Sequence, residues 1–201
     1  MKKYPPKQGY DKLAKKYKNF HKTLEKWHGL DFVDLLDLSW YEKELKVLDI
    51  WSWNCRLYPI LMKVLGKIDY VACDISSSML KQCPVLAKKV ECDLNDQLPF
   101  ENETFDLVVA FFVLLHVQNL GMLVREVHRI LKPGGRFLVF HHVEKKPLEH
   151  KVGGERFIIE NMGWGYQHVK SFLINAGFDV QSKRVEENGT KVGEYILAVK
   201  Y

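Results

Sequence analysis

Residues 46–56 read Lys-Val-Leu-Asp-Ile-Trp-Ser-Trp-Asn-Cys-Arg, and they limit the possible folds more than any other stretch. Val47, Leu48 and Ile50 form a short, nearly continuous apolar run, the pattern of a strand covered on both faces. The run breaks at Trp51, and a helical pattern resumes at Tyr58. A buried strand turning through a loop into a helix is the opening unit of a parallel α/β sheet, and ligands bind at that loop. Such loops normally carry glycines. One allows backbone angles closed to other residues, one lets a ligand approach the main chain, and one lets the helix pack near the strand. This chain has Trp51, Trp53 and Cys55 there instead.

The strand–helix alternation continues downstream. Strands are expected at 46–50, 70–73, 89–92, 105–111 and 136–140, and helices at 58–65, 76–82 and 119–131. Ser76 is a candidate N-cap, and Pro133-Gly134-Gly135 ends the third helix and turns the chain. The C-terminal third reads differently. A loop or hairpin region runs to about Trp164, and a helix over 166–176 is closed by Gly177. Two alternating strands, 178–185 and 192–200, flank Glu187-Asn188-Gly189, a hairpin signal. The pattern predicts an α/β fold whose mostly parallel sheet ends in an antiparallel hairpin.

A length of 201 residues suits one domain, with 1–40 as basic N-terminal cap helices and 45–201 as the core. No apolar run approaches the ~20 residues of a membrane span, and no apolar leader follows the first residues. Residues 1–26 hold nine lysines against Asp11 and Glu25, which accounts for the whole net charge of +5. One reading of this arm is a contact to RNA or another polyanion. The other is a solvated helix docked through Tyr10, Leu13, Ala14 and Tyr17. Cys55, Cys73, Cys83 and Cys92 lack Cys-x-x-Cys spacing and read as free thiols in a reducing, cytoplasmic compartment. No metal-ligand spacing is seen.

At the expected carboxyl ends of the strands stand Asp49 with residues 51–55, then Asp74, then Asp93 and Leu94, then Ala110, Phe111 and Phe112. An acid ending the second strand, one crossover after the ligand loop, is placed to accept hydrogen bonds from ribose hydroxyls. Several segments, taken in order, resemble the class I S-adenosylmethionine-dependent methyltransferases, close to the methyltransferase type 11 and quinone-biosynthesis subgroup. They are Val47-Leu48-Asp49-Ile50, then Cys73-Asp74-Ile75-Ser76, then Cys92-Asp93-Leu94 with Leu98-Pro99-Phe100. Phe105-Asp106-Leu107-Val108-Val109, Leu115-His116-Val117, Arg129-Ile130-Leu131-Lys132-Pro133-Gly134-Gly135 and Tyr10-Asp11-Lys12-Leu13-Ala14 complete the likeness. The resemblance implies a Rossmann-like, seven-stranded sheet with helices on both faces. It implies S-adenosyl-L-methionine as cofactor, held by Asp49, Trp51, Trp53, Cys55, Asp74, Ile75, Asp93, Leu94, Ala110, Phe111 and Tyr17, with Arg56 near its carboxylate. It also implies a small-molecule methyl acceptor.

The loop departs from that family's pattern, and three readings stay open. The indoles pack outward or stack on the ligand and the enzyme works; or they fill the pocket and the domain is a scaffold or regulatory partner; or the chain is an altered version of an active parent. An RNA-directed methyltransferase using the lysine arm is a further alternative. The candidate proton acceptors are His116, past the fourth strand, and His141 or His142, ending the fifth. Neighbours in a strand face opposite ways, so one of that pair at most is expected at the site.

Overall fold

A computed structural model describes residues 1–14, 32–36, 44–83, 88–142 and 148–201. In chain order the elements are β1 (Lys2–Tyr4), α1 (Pro6–Leu13), α2 (Val33–Leu36), β2 (Leu45–Ile50), α3 (Tyr58–Leu65), β3 (Ile68–Asp74), α4 (Ser77–Leu80) and β4 (Lys88–Glu91). They continue with β5 (Phe105–Phe111), a 3-10 turn (Leu114–His116), α5 (Leu120–Ile130), β6 (Leu131–His142), β7 (Glu149–Val152), β8 (Glu155–Ile159), α6 (Tyr166–Asn175), β9 (Phe178–Glu187) and β10 (Thr190–Lys200).

The main sheet has seven strands in the order β4-β3-β2-β5-β6-β10-β9. β4, β3, β2, β5 and β6 run parallel, and β10 is antiparallel to both β6 and β9. Strand order reverses between β2 and β5, so a crevice opens at their carboxyl ends. The central strands are apolar because both faces are covered: every residue of β5 but Asp106 is buried.

Local chemistry explains the boundaries. α5 buries Leu120, Leu123, Val124, Val127 and Ile130, one stripe at helical period, and the Asn119 side chain caps it by accepting from the Met122 amide. Ser76 caps α4 in the same way through Met79. The closing hairpin turns at Asn188 and Gly189, with φ of 50° and 73°, the left-handed pair of a type I′ turn.

A second, three-stranded sheet was absent from the expectations. β7 and β8 form an antiparallel hairpin, and β1 adds to β8 in parallel. β1 lies more than 150 residues from its partner in sequence, a pairing that no local pattern announces. It anchors α1, whose Tyr10 and Leu13, with Ala14 just beyond, are buried. Lys15, Lys16, Lys18, Lys22, Lys26 and Tyr17 lie outside the described residues. Among the described residues, no helix is long and apolar enough to cross a membrane.

Candidate functional site

The loop at the end of β2 keeps the backbone of a glycine loop without the glycines. Trp51, Trp53 and Cys55 have φ of 82°, 52° and 59°. Each left-handed, non-glycine residue costs about 1–2 kcal/mol. Tertiary contacts hold the loop in this form. The Trp51 and Ser52 amides both donate to the Cys73 carbonyl, at 2.7 and 3.0 Å. The Trp53 amide donates to Asp74 Oδ2 at 2.9 Å.

Both indoles are buried, Trp51 at 5% and Trp53 at 3% exposure, and both belong to the hydrophobic core. Of the placements the sequence left open, outward packing is not the one adopted. The Trp51 ring lies parallel to His116 with centroids 5.6 Å apart and meets Tyr10 edge-on at 4.8 Å. The Trp53 ring lies parallel to Phe112 at 6.3 Å, and the Arg56 guanidinium sits 3.4 Å from its centroid. Burial of an indole stabilises by a few kcal/mol, which offsets the backbone cost.

Asp74 ends β3 as expected and is 1% exposed. Its Oδ1 accepts from the Ser76 amide at 2.9 Å, and its Oδ2 from Trp53. Burial raises its pKa to about 7, against those backbone bonds, and Asp11 raises it further. Asp11 itself accepts from the Ser76 hydroxyl. Asp49 is raised to about 7, first by burial, although Tyr70 donates to its Oδ2 and Arg56 favours its charge. Asp49 Oδ1, Trp51 Nε1 and Ser52 Oγ are buried and have no protein hydrogen-bond partner.

The other expected site residues divide into groups. Ile75 and Leu94 are buried beside Asp74 and Asp93 respectively. Asp93 Oδ1 accepts from the Asn95 backbone and side-chain amides, so it shapes its own turn. Ala110 is fully buried inside β5. Phe111 turns into the core against Phe32 and Tyr195, both at 5.9 Å, because strand alternation sends Phe112 to the crevice in its place. Phe112, the last of the strand-end residues the sequence pointed to, has φ of 63° and packs against Trp53 and Phe140.

His116 has both ring nitrogens engaged, Nε2 with the Tyr10 hydroxyl at 3.0 Å and Nδ1 with the Glu160 carbonyl. Burial lowers its pKa to about 4, so it is neutral and positions the cap helix. His141 and His142 both line a cavity of about 180 Å³, together with Leu115, Asn161, Trp164 and Tyr166. His141 Nε2 contacts the Trp164 carbonyl at 2.6 Å, and burial lowers the pKa of both histidines.

All four cysteines are paired, Cys55 with Cys83 and Cys73 with Cys92, which corrects the free-thiol expectation. Their spacing in sequence hid this, since β3 and β4 are neighbours only in the sheet. The pairing also removes the ground on which a reducing compartment was expected.

In this conformation the crevice does not fit S-adenosylmethionine. The loop that would face it carries two buried indoles, and both oxygens of the ribose-type acid, Asp74, already accept backbone N–H groups.

A protein-family model described as "Methyltransferase domain" matches residues 54–139, beginning just beyond Trp53. The uncharacterized protein MJ1252 of Methanocaldococcus jannaschii is 33% identical, over 87% of this chain and 76% of that protein. The mitochondrial 2-methoxy-6-polyprenyl-1,4-benzoquinol methylase of Homo sapiens is 37% identical over 48% of this chain, which spans only 33% of that protein. An S-adenosylmethionine-dependent methyltransferase from Mesorhizobium loti superposes with a TM-score of 0.66 at 16% identity, covering 86% of this chain and 98% of that one, a shared fold.

Proposed function

The chain belongs to the class I S-adenosylmethionine-dependent methyltransferase family, and from that premise we propose that it serves methylation of a small, flat acceptor bound beside His141 and His142. The supporting observation is the cavity at the end of β6. Its volume of about 180 Å³ has room for roughly one substituted six-membered ring, since cavities of about 150 Å³ hold benzene. Leu115, Trp164 and Tyr166 offer apolar and aromatic walls, and Asn161 and the two histidines offer polar contacts. The quinone methylase among its relatives acts on a ring of this kind.

The donor side is closed as it stands, so the methylating form is one in which the rings of Trp51 and Trp53 have left the crevice. Titration with S-adenosylhomocysteine, and with a panel of hydroxylated monocyclic aromatics, tests the reading. Acceptor binding that is lost in Trp164→Ala supports it. Absence of both donor and acceptor binding, in the chain and in a variant with glycine at 51 and 53, overturns it.

A second reading is a non-catalytic scaffold of the same fold. It draws on the Asp74 carboxyl, each of whose oxygens accepts a backbone N–H, from Ser76 and from Trp53. The RNA reading draws less support, because Lys2 and Lys12 both pair with Glu155 and Lys7 pairs with Glu91.

A further inference from the structure

The four cysteines all lie near the carboxyl ends of β2, β3, β4 and α4. Cys55 closes the tryptophan loop, and Cys73 precedes Asp74. Cys83 follows α4, and Cys92 precedes Asp93. Their Cα separations, 5.1 Å for Cys55–Cys83 and 6.1 Å for Cys73–Cys92, lie within the span of ordinary disulfides.

The two bonds tie different things. Cys73 and Cys92 join the ends of β3 and β4, which the parallel ladder and the Cys92 amide on the Asp74 carbonyl already hold together. Cys55 and Cys83 join a loop with three left-handed, non-glycine residues to the end of a four-residue helix, across 28 residues of chain. At its start the loop is held by three backbone amides. Covalently, its far end is held by the Cys55–Cys83 bond. Breaking that bond leaves the Cys55 end, itself left-handed, held by its backbone hydrogen bonds with Ser52 and Tyr58.

We propose that Cys55–Cys83 is a dithiol–disulfide lock that keeps Trp51 and Trp53 in the donor crevice, and that reduction by a dithiol reductant opens the crevice to an adenosyl ligand. The lock rests on the methyltransferase reading above. The step is thiol–disulfide exchange. A thiolate of the reductant attacks Cys83 Sγ, the more exposed of the pair at 4% against 1% for Cys55, during local opening of the loop. The Sγ–Sγ bond breaks and its electron pair leaves on Cys55. The reductant's second thiolate then attacks the mixed disulfide and releases Cys83. The reductant is oxidised by two electrons to a cyclic disulfide, and the two cysteines take up the two protons it gives.

The test uses the full chain, oxidised with glutathione disulfide or reduced with dithiothreitol. Denaturing alkylation and intact mass count the thiols in each state, and calorimetry with S-adenosylhomocysteine measures binding. The lock predicts no alkylated cysteine in the oxidised chain and binding at least about tenfold tighter after reduction. It also predicts that Cys83→Ser binds alike in both conditions, whereas Cys92→Ser keeps the difference. Four alkylated thiols after oxidation overturn it, as does equal binding, or none, in the oxidised and reduced chain. The Trp51→Gly/Trp53→Gly variant separates the two failures. The lock fails in either case; the methyltransferase reading stands if that variant binds S-adenosylhomocysteine and falls if it binds neither that nor the hydroxylated aromatics.

Discussion

The Trp53 backbone amide donates to Asp74 Oδ2 at 2.9 Å, so the acid that would receive a ribose is bound by the loop that would receive the rest of the ligand. Asp74 ends β3 and Trp53 lies three residues beyond the end of the adjacent parallel β2, which pairs with β3 in a register that sets Ile50 against Cys73. The closed crevice is therefore built from the sheet's own geometry together with two large side chains.

Trp53→Gly tests how far the indole supports the fold. Removing a buried tryptophan costs about 3–5 kcal/mol, and relieving one left-handed residue returns about 1–2 kcal/mol. A net loss of roughly 2–3 kcal/mol is expected in urea unfolding. A stabilised variant would show that the ring is no part of the core.

Asp49 makes stability depend on pH. Its carboxyl, raised from 3.8 to about 7 mainly by burial, holds a proton in the folded chain that the unfolded chain releases. Its contribution is thus complete below about pH 4 and is lost as pH rises toward 7. His116, lowered from 6.5 to about 4, acts in the other direction, and its contribution is lost as pH falls below 6.5. Asp49→Asn keeps an acceptor for Tyr70 and removes the first effect. The variant should lose less stability than the parent between about pH 5 and pH 7.5 in urea melts; an unchanged difference would refute the assignment.

Gly193 follows the bulge of β10 against β9, and on the other side it lies close to Phe140 of β6. A Cβ there would lie 2.5 Å from Phe140 Cζ and 3.1 Å from the His141 carbonyl. Phe140 cannot retreat, since its ring is 4.6 Å from Tyr195 and 4.8 Å from Phe112. Gly193→Ala should cost about 1–3 kcal/mol and lower the melting temperature. At Gly134, by contrast, an added methyl would meet no atom within 4 Å, and alanine should cost only the left-handed strain, about 1 kcal/mol.

Arg129 ties α5 to the turn after β4. Its guanidinium donates to the Leu98 and Phe100 carbonyls, to Asn102 and to Glu126, whose other role is to accept from the Leu98 amide. Arg129→Ala should cost about 2 kcal/mol, with Arg129→Lys intermediate because one ammonium cannot span the fork. Equal melting temperatures for all three chains would contradict this.

Much of the architecture could be read from residues close together in the chain. The apolar run before Trp51, the caps Ser76 and Asn119 and the Asn188-Gly189 turn act over a few residues, so strands, helices and the closing hairpin announced themselves. β1 on β8 and the four paired cysteines did not, since each depends on which elements lie beside one another in space.

At the crevice the amino-acid order settled that a strand, a loop and the acids Asp49 and Asp74 would meet, and that three positions favouring glycine would hold Trp51, Trp53 and Cys55. Whether the indoles faced water, a ligand or the core was decided by packing. His116, Tyr10 and Phe112 arrive from distant parts of the chain and, with Arg56 from the loop itself, pack against the two indoles.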